Sequence, residues 1–159
     1  MKLSKSSLEL LKILEGFSVK PYLCKGRVAT IGFGTTRYPN AQRVKLTDKP
    51  ITKSEAEGYL LHDLFQVEKD VTMLTKSIVL SQNRFDALVL YTYNLGSDID
   101  ADNIPEGLGD SNLLKKVLRN QDDLSIKNEF MKWVYASGKI SSGLKKRRKI
   151  EANLYFNIL

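Results

Sequence analysis

Histidine and cysteine are almost missing from this 159-residue chain, which has one of each, His62 and Cys24. A lone cysteine excludes an intramolecular disulfide and argues against a thiolate-rich metal site. A lone histidine weakens every Ser/His or Cys/His nucleophile scheme. Long apolar runs are missing too, and nothing approaches the roughly 18 residues of a membrane span. Met1 to Gly16 is interrupted by Lys2, Lys5, Glu9 and Lys12, so it lacks the apolar core of a signal peptide. The expectation is a protein made and stored in a cytoplasm, which reaches any outside target by another route. Its chemistry must rest on carboxylates, hydroxyls and one thiol, with no cofactor and no metal expected.

What is present is ordinary for a folded soluble domain: 42% hydrophobic and 27% charged residues. The formal net charge of +7 calls for a polyanionic partner or environment. Nucleic acid and anionic bacterial envelopes both qualify. The chain has no zinc spacing, RNP-like aromatic motif or leucine zipper, so nothing supports the nucleic-acid reading. The dense run Lys145-Lys146-Arg147-Arg148-Lys149 reads either as a solvated helix face or as a binding patch.

Ser6 and Glu9 have capping-box spacing, Leu8, Leu11 and Leu14 follow at helical intervals, and Gly16 is a stop. This predicts a first helix from about Ser7 to Glu15. Residues 17–37 carry β-branched and aromatic residues punctuated by Pro21, Gly26, Gly32 and Gly34, a small β region turning at Lys25-Gly26. Residues 38–51 read as a loop or a further short strand. Thr52 and Glu55 form a second capping box, followed by Leu60, Leu64, Val67, Val71 and Leu74 on one face of a long helix. Further helices are expected near 82–95, 112–120, 123–136 and 142–156, with Ser81, Ser111 and Ser141 as caps.

The segment 96–110 is acidic and irregular. Asp98, Asp100 and Asp102 alternate like the start of a calcium loop. Asn103 and Gly109 stand where such a loop needs glycine and glutamate, so a solvated loop is the reading. The fold class is therefore α+β: a small N-terminal β-hairpin lobe, a larger helical C-terminal lobe, and a substrate cleft between them.

Glu15 is placed on the last turn of the first helix. Apolar neighbours and the negative end of the helix dipole would both favour its protonated form, as a general acid requires. A plain solvated glutamate is the alternative. Cys24 and Thr30 flank the turn. A two-residue loop at Lys25-Gly26 would put them on opposite faces, whereas a three-residue loop, 25–27, pairs Cys24 with Val28 and puts Thr30 on the face of Cys24.

The spacing of Glu15, Cys24 and Thr30, with eight and then five residues between, resembles the signature of phage-type lysozymes, the endolysin muramidases of glycoside hydrolase family 24. Leu14-Glu15-Gly16-Phe17, Pro21-Tyr22-Leu23-Cys24 and Thr30-Ile31-Gly32-Phe33-Gly34 are similar to that family's N-terminal block. Thr36-Arg37-Tyr38-Pro39-Asn40 and Pro50-Ile51-Thr52 resemble the subgroup with cysteine in the second catalytic position. Tyr93-Asn94-Leu95-Gly96, Ser111-Asn112-Leu113-Leu114, and Trp133 to Lys139 with Gly143-Leu144, Arg147-Arg148 and Glu151 continue the likeness, which spans about residues 6 to 157. Two departures stand out. Thr35 occupies a place where many members have histidine. The turn glycine comes two residues after Cys24, not three, and Arg27 follows it.

The resemblance implies a single lysozyme-like domain over 1–159, with a β lobe at about 17–51 and a helical lobe at about 52–157 plus the N-terminal helix. It implies hydrolysis of the β-1,4 bond between N-acetylmuramic acid and N-acetylglucosamine, with host lysis as the outcome. Glu15 would be the acid, Cys24 would stand where many relatives have aspartate, and Thr30 would hold water. Tyr93 and Asn94 would contact sugar, in competition with core and capping roles. Trp133 reads as a core anchor, and Arg147, Arg148 and Glu151 as structural ion pairs. The implied partners are peptidoglycan glycan strands, with no nucleic acid and no stable membrane insertion. A monomer is expected, accumulating in the host cytoplasm and released to the wall by a separate holin-type protein. The rival readings are a lytic transglycosylase and a non-catalytic peptidoglycan-binding protein on the same fold.

Overall fold

A computed structural model describes residues 1–24, 26–100, 104, 106–136 and 138–158. In chain order the elements are α1 (Lys5–Glu15), β1 (Ser18–Leu23), β2 (Ala29–Gly32), α2 (Lys53–Leu74), α3 (Gln82–Leu95), α4 (Asn112–Arg119), α5 (Ile126–Phe130), β3 (Tyr135–Ala136), β4 (Lys139–Ile140) and α6 (Ser142–Tyr155). The class is α+β, as expected. Among the described residues no helix is long and apolar enough to cross a membrane.

The chain divides into two compact units. One is Lys5–Gln66, and the other joins Met1–Ser4 to Val67–Leu159. In the first unit β1 and β2 form an antiparallel hairpin whose pairing runs from Ser18–Gly32 to Tyr22–Thr30 and Leu23–Ala29, with an irregularity around Pro21. A proline cannot donate to the ladder, which suits it to this break. Gly32 has φ +64, and a Cβ there would lie 2.9 Å from the Ala56 Cβ on α2, so only glycine lets the hairpin end approach that helix. The capping box at α2 forms as read: Thr52 N–H donates to Glu55 Oε2 at 2.7 Å, and Glu55 N–H to Thr52 Oγ1 at 3.2 Å. Leu60, Leu64 and Val71 of the expected face are buried, while Val67 and Leu74 are half-buried.

In the second unit α3 packs on α6, and α5 packs on α4 and α6. Phe85, Leu88, Leu90, Tyr91, Leu113, Phe130 and Tyr155 form its core. The Tyr91 and Phe130 rings meet edge-on at 5.5 Å, a favoured aromatic geometry. Ser111 and Ser141 cap α4 and α6 by accepting from Leu114 N–H at 3.1 Å and Leu144 N–H at 3.3 Å.

Four local readings need correction. The first helix starts at Lys5, so Ser6 and Glu9 lie inside it, and Glu9 holds Lys12 at 2.8 Å. The residue that precedes it, Ser4, gives both its N–H and its hydroxyl to Asp86, a partner no local spacing reveals. Ser81 stands at the N-cap position of α3 as read, but its side chain makes no cap bond. The helix expected over 123–136 is confined to 126–130, and β3 and β4 follow as a two-residue ladder turned at Gly138, φ +74. Lastly, the basic run is not one face: Arg147 and Arg148 are buried, while Lys145, Lys146 and Lys149 are exposed.

Candidate active site

The turn between β1 and β2 decides how Cys24 meets Thr30. Cys24 N–H donates to Val28 O at 3.0 Å and Arg27 N–H to Cys24 O at 2.8 Å. With Tyr22 opposite Thr30, this pairing is that of the three-residue loop 25–27, of which Lys25 lies outside the described residues. Because side chains alternate along a strand, Tyr22, Cys24, Val28 and Thr30 share one face. The third loop position takes φ +57, and Arg27 occupies it where a glycine would sit without steric cost.

Glu15 ends α1. Gly16, at φ +71, donates its N–H to Lys12 O at 3.0 Å, a left-handed helix stop that turns the chain into β1. The Glu15 side chain is half-buried and lines a cavity of about 310 Å³ with Gly16, Phe17, Ser18 and Tyr22. Gly34 comes close from the other side: a Cβ there would stand 3.4 Å from Glu15 Oε2. Burial chiefly, then the negative charges of Cys24 and Glu15, push the Tyr22 phenol above its ordinary pKa. Tyr22 therefore lies within electrostatic reach of both groups. It was not singled out from sequence as a functional residue, although its strand alternation with Cys24 carried the signal.

The Cys24 thiol is held below its usual pKa. The Val28 backbone hydrogen bond is the main cause, followed by the Thr30 hydroxyl and the Gly26 backbone. Thr30 is almost wholly buried, and its hydroxyl also lies 3.0 Å from Val28 O. With a single proton, that hydroxyl can turn to the sulfur when it is thiolate or to the carbonyl when it is thiol. Both of its lone pairs remain to accept.

Tyr93 and Asn94 belong to the other unit, at the end of α3, and both are half-buried. Asn94 Oδ1 accepts from Arg148 Nη2. Arg147 Nε and Arg148 Nη1 hold Glu151 at 3.0 and 2.8 Å in a fully buried cluster, the structural ion pairs expected. Trp133 is only half-buried. It lines a cavity of about 500 Å³ with Leu95, Asn112, Tyr135 and Leu144, so it is not a closed core anchor.

In the acidic segment Asp98 accepts N–H bonds from Glu106, Gly107 and Asp110 at 3.1, 3.1 and 3.2 Å, which organises the loop around one carboxylate. A Cβ at Gly109 would fall 1.6 Å from Asp98 O, so glycine lets the loop close on itself. Asp98, Asp100 and Asp110 bring carboxylates within 4.8 Å of one another. Asp102 and Asn103 lie outside the described residues.

Comparison with known proteins places this geometry. Residues 12–151 match the phage lysozyme family. The endolysin of Acyrthosiphon pisum secondary endosymbiont phage 1 is 34% identical over 160 residues, covering 98% of each chain. The endolysin of Bacillus phage B103 is 30% identical across 98% of this chain, which spans 54% of that longer protein. The structure is similar to that of the endolysin from Escherichia coli O157:H7 phage FAHEc1, with a TM-score of 0.85 and 32% identity over 100% of this chain and 96% of that one. The fold is thus lysozyme-like, and the chain belongs to the phage lysozyme family.

Proposed function

We propose that Glu15, Cys24 and Thr30 carry out the hydrolysis. As a member of its family the chain is a peptidoglycan-cleaving muramidase of the endolysin type, and the cell wall is where it acts. The observation that supports these residues is the shared hairpin face of Cys24 and Thr30, with Tyr22 on the same face lining the Glu15 cavity. Glu15 protonates the leaving oxygen of the β-1,4 bond between N-acetylmuramic acid and N-acetylglucosamine as the sugar gains oxocarbenium character. Thr30 accepts a hydrogen bond from the attacking water. Cys24, with thiolate favoured by the hydrogen bonds it accepts, takes that water's proton and offsets the developing positive charge. Water delivered from the face opposite the acid gives inversion.

Tyr93 and Asn94 serve as sugar contacts, Asn94 offering its amide N–H group while Arg148 occupies its oxygen. The family match over 12–151 supports one lysozyme-like domain. The protein works as a monomer, accumulates in the host cytoplasm and depends on a holin-type protein for release.

The test is digestion of purified peptidoglycan by the native protein and by Glu15→Gln, with borohydride reduction and mass spectrometry of the released ends. Reducible muramic ends from the native protein, and a loss of about 10²–10⁴-fold in the variant, are expected for a removed general acid. Anhydro-muramic ends would make the reaction a transglycosylation and leave Thr30 without its role. Wall binding without cleavage by either protein would sink the catalytic assignment.

A further inference from the structure

Three arginines of the Lys5–Gln66 unit line one cavity of about 390 Å³: Arg27 from the β1–β2 turn, and Arg37 and Arg43 from the segment after β2. We propose that this cavity is a binding site for a compact oxyanion, carboxylate or phosphate, carried by the wall polymer. The assignment rests on the wall-cleaving reading above.

None of the three guanidinium groups has a carboxylate partner among the described residues, although Lys2, Lys12, Arg84, Lys116, Arg147 and Arg148 all have one. Arg37 and Arg43 face each other across an isolated antiparallel bridge. Like charges directly opposite on neighbouring strands repel, so the fold pays for this placement. Arg27 carries a second cost, the left-handed φ of +57. The 37–43 turn has the same form as the first. Tyr38 N–H donates to Gln42 O at 2.9 Å, Ala41 N–H to Tyr38 O at 2.8 Å, and the third loop residue, Ala41, stands at φ +65. Arg37 Nη1 is steadied by Ala41 O at 3.3 Å, which fixes the fork without neutralising it.

The rest of the lining suits an anion. Val28, Ala29 and Val44 are apolar and bring no negative charge, and the Thr36 hydroxyl has no partner among the described residues. Arginine forks match carboxylate and phosphate oxygens bidentately. The cavity takes Val28 from the hairpin face of Cys24 and Thr30 and Ala29 from the opposite face. A glycosidic bond carries no oxyanion, so the anion held here is a substituent of the polymer, not the sugar bond under attack. Stem-peptide carboxylates and the phosphates of anionic wall polymers share this chemistry.

The experiment is an NMR titration of the full chain with inorganic phosphate and, separately, acetate, following arginine side-chain Nε–Hε signals. Saturable shifts at Arg27, Arg37 and Arg43 are expected, and Arg37→Ala/Arg43→Ala should abolish them. On purified walls that double variant should raise KM about fivefold at unchanged kcat, since exposed charge-assisted contacts are of this modest size. Lys145→Ala/Lys146→Ala, which removes the same charge from exposed lysines of the other unit, should leave KM within about twofold, as expected of a solvated pair that lines no part of the cavity. Arg27→Gly should weaken phosphate binding while raising the melting temperature, a pairing of effects that a purely structural arginine cannot produce. Retention of the KM effect on walls stripped of phosphate polymers identifies peptide carboxylates as the ligand, and its loss there identifies the phosphates. Absence of saturable shifts at the three arginines, or equal KM for native and double variant on both walls, overturns the proposal. Failure of the native protein to cleave any wall is a different result and would refute the enzymatic reading.

Discussion

Arg148, fully buried on α6, donates from Nη2 to Oδ1 of Asn94 at the end of α3. The same guanidinium holds Glu151 at 2.8 Å and lies 5.0 Å from the centre of the Tyr91 ring. One residue thereby ties α6 to the α3 segment that bears the proposed sugar contacts, and its charge is balanced by a carboxylate with no exposure to water.

That balance makes Glu151 a sensitive charged position. Glu151→Ala would remove the buried carboxylate that both Arg147 and Arg148 hold, and breaking a buried ion pair from one side costs about 3–5 kcal/mol. Urea denaturation monitored by circular dichroism measures it. A loss below about 1 kcal/mol would mean that water or another group already neutralises the pair.

Gly32→Ala should destabilise through two effects at once. The new methyl would meet Ala56 Cβ at 2.9 Å, and φ +64 is unfavourable for any L side chain. Together these predict a loss of at least about 2 kcal/mol. Equal thermal stability of variant and native protein would show that the hairpin end can shift away from α2.

Arg27→Gly should act in the other direction. The left-handed position strains arginine by about 1–2 kcal/mol, part of which glycine returns through its freer unfolded chain. A gain of roughly 0.5–1 kcal/mol in denaturant unfolding is expected. A destabilised variant would mean that the Arg27 side chain makes contacts worth more than the strain.

Cys24 should govern the acid limb of the pH profile. Its thiol ionises below the usual value of about 8.5 because its hydrogen bonds favour thiolate. Activity should therefore rise with pH over a range below that of an ordinary thiol. Cys24→Asp should move the rise toward the carboxylate range, and Cys24→Ser should remove it. The same depressed value means that the thiolate stabilises the fold above the unfolded thiol's pKa, and this contribution fades as pH falls through the folded value. A Cys24→Asp profile of kcat/KM superimposable on the native one would remove Cys24 from the chemistry.

Local patterns carried much of this from residues alone. The helical periods of α2, α3, α4 and α6, the Thr52–Glu55 capping box and the Ser111 and Ser141 caps depend on residues three or four apart, which a sequence displays directly. The spacing of Glu15, Cys24 and Thr30 was legible in the same way. The short α5 and the β3–β4 ladder were not, because a stretch of mixed apolar and polar residues such as 123–136 has helical and turn readings of similar local cost, and packing chooses between them.

Sequence by itself determined the α+β class, the family likeness and the identity of the groups able to do chemistry, since these follow from composition, spacing and short-range periodicity. Tertiary structure decided whether those groups meet. The length of one turn set Cys24 and Thr30 on a common face, because strand alternation inverts with a single residue of register. Long-range contacts assigned Ser4 to Asp86 and Asn94 to Arg148, partners 82 and 54 residues apart, whose pairing comes only from closing the chain around a core. Within the Lys5–Gln66 unit, the β1–β2 turn and the bridge between Arg37 and Arg43 brought three arginines separated in sequence to line one cavity.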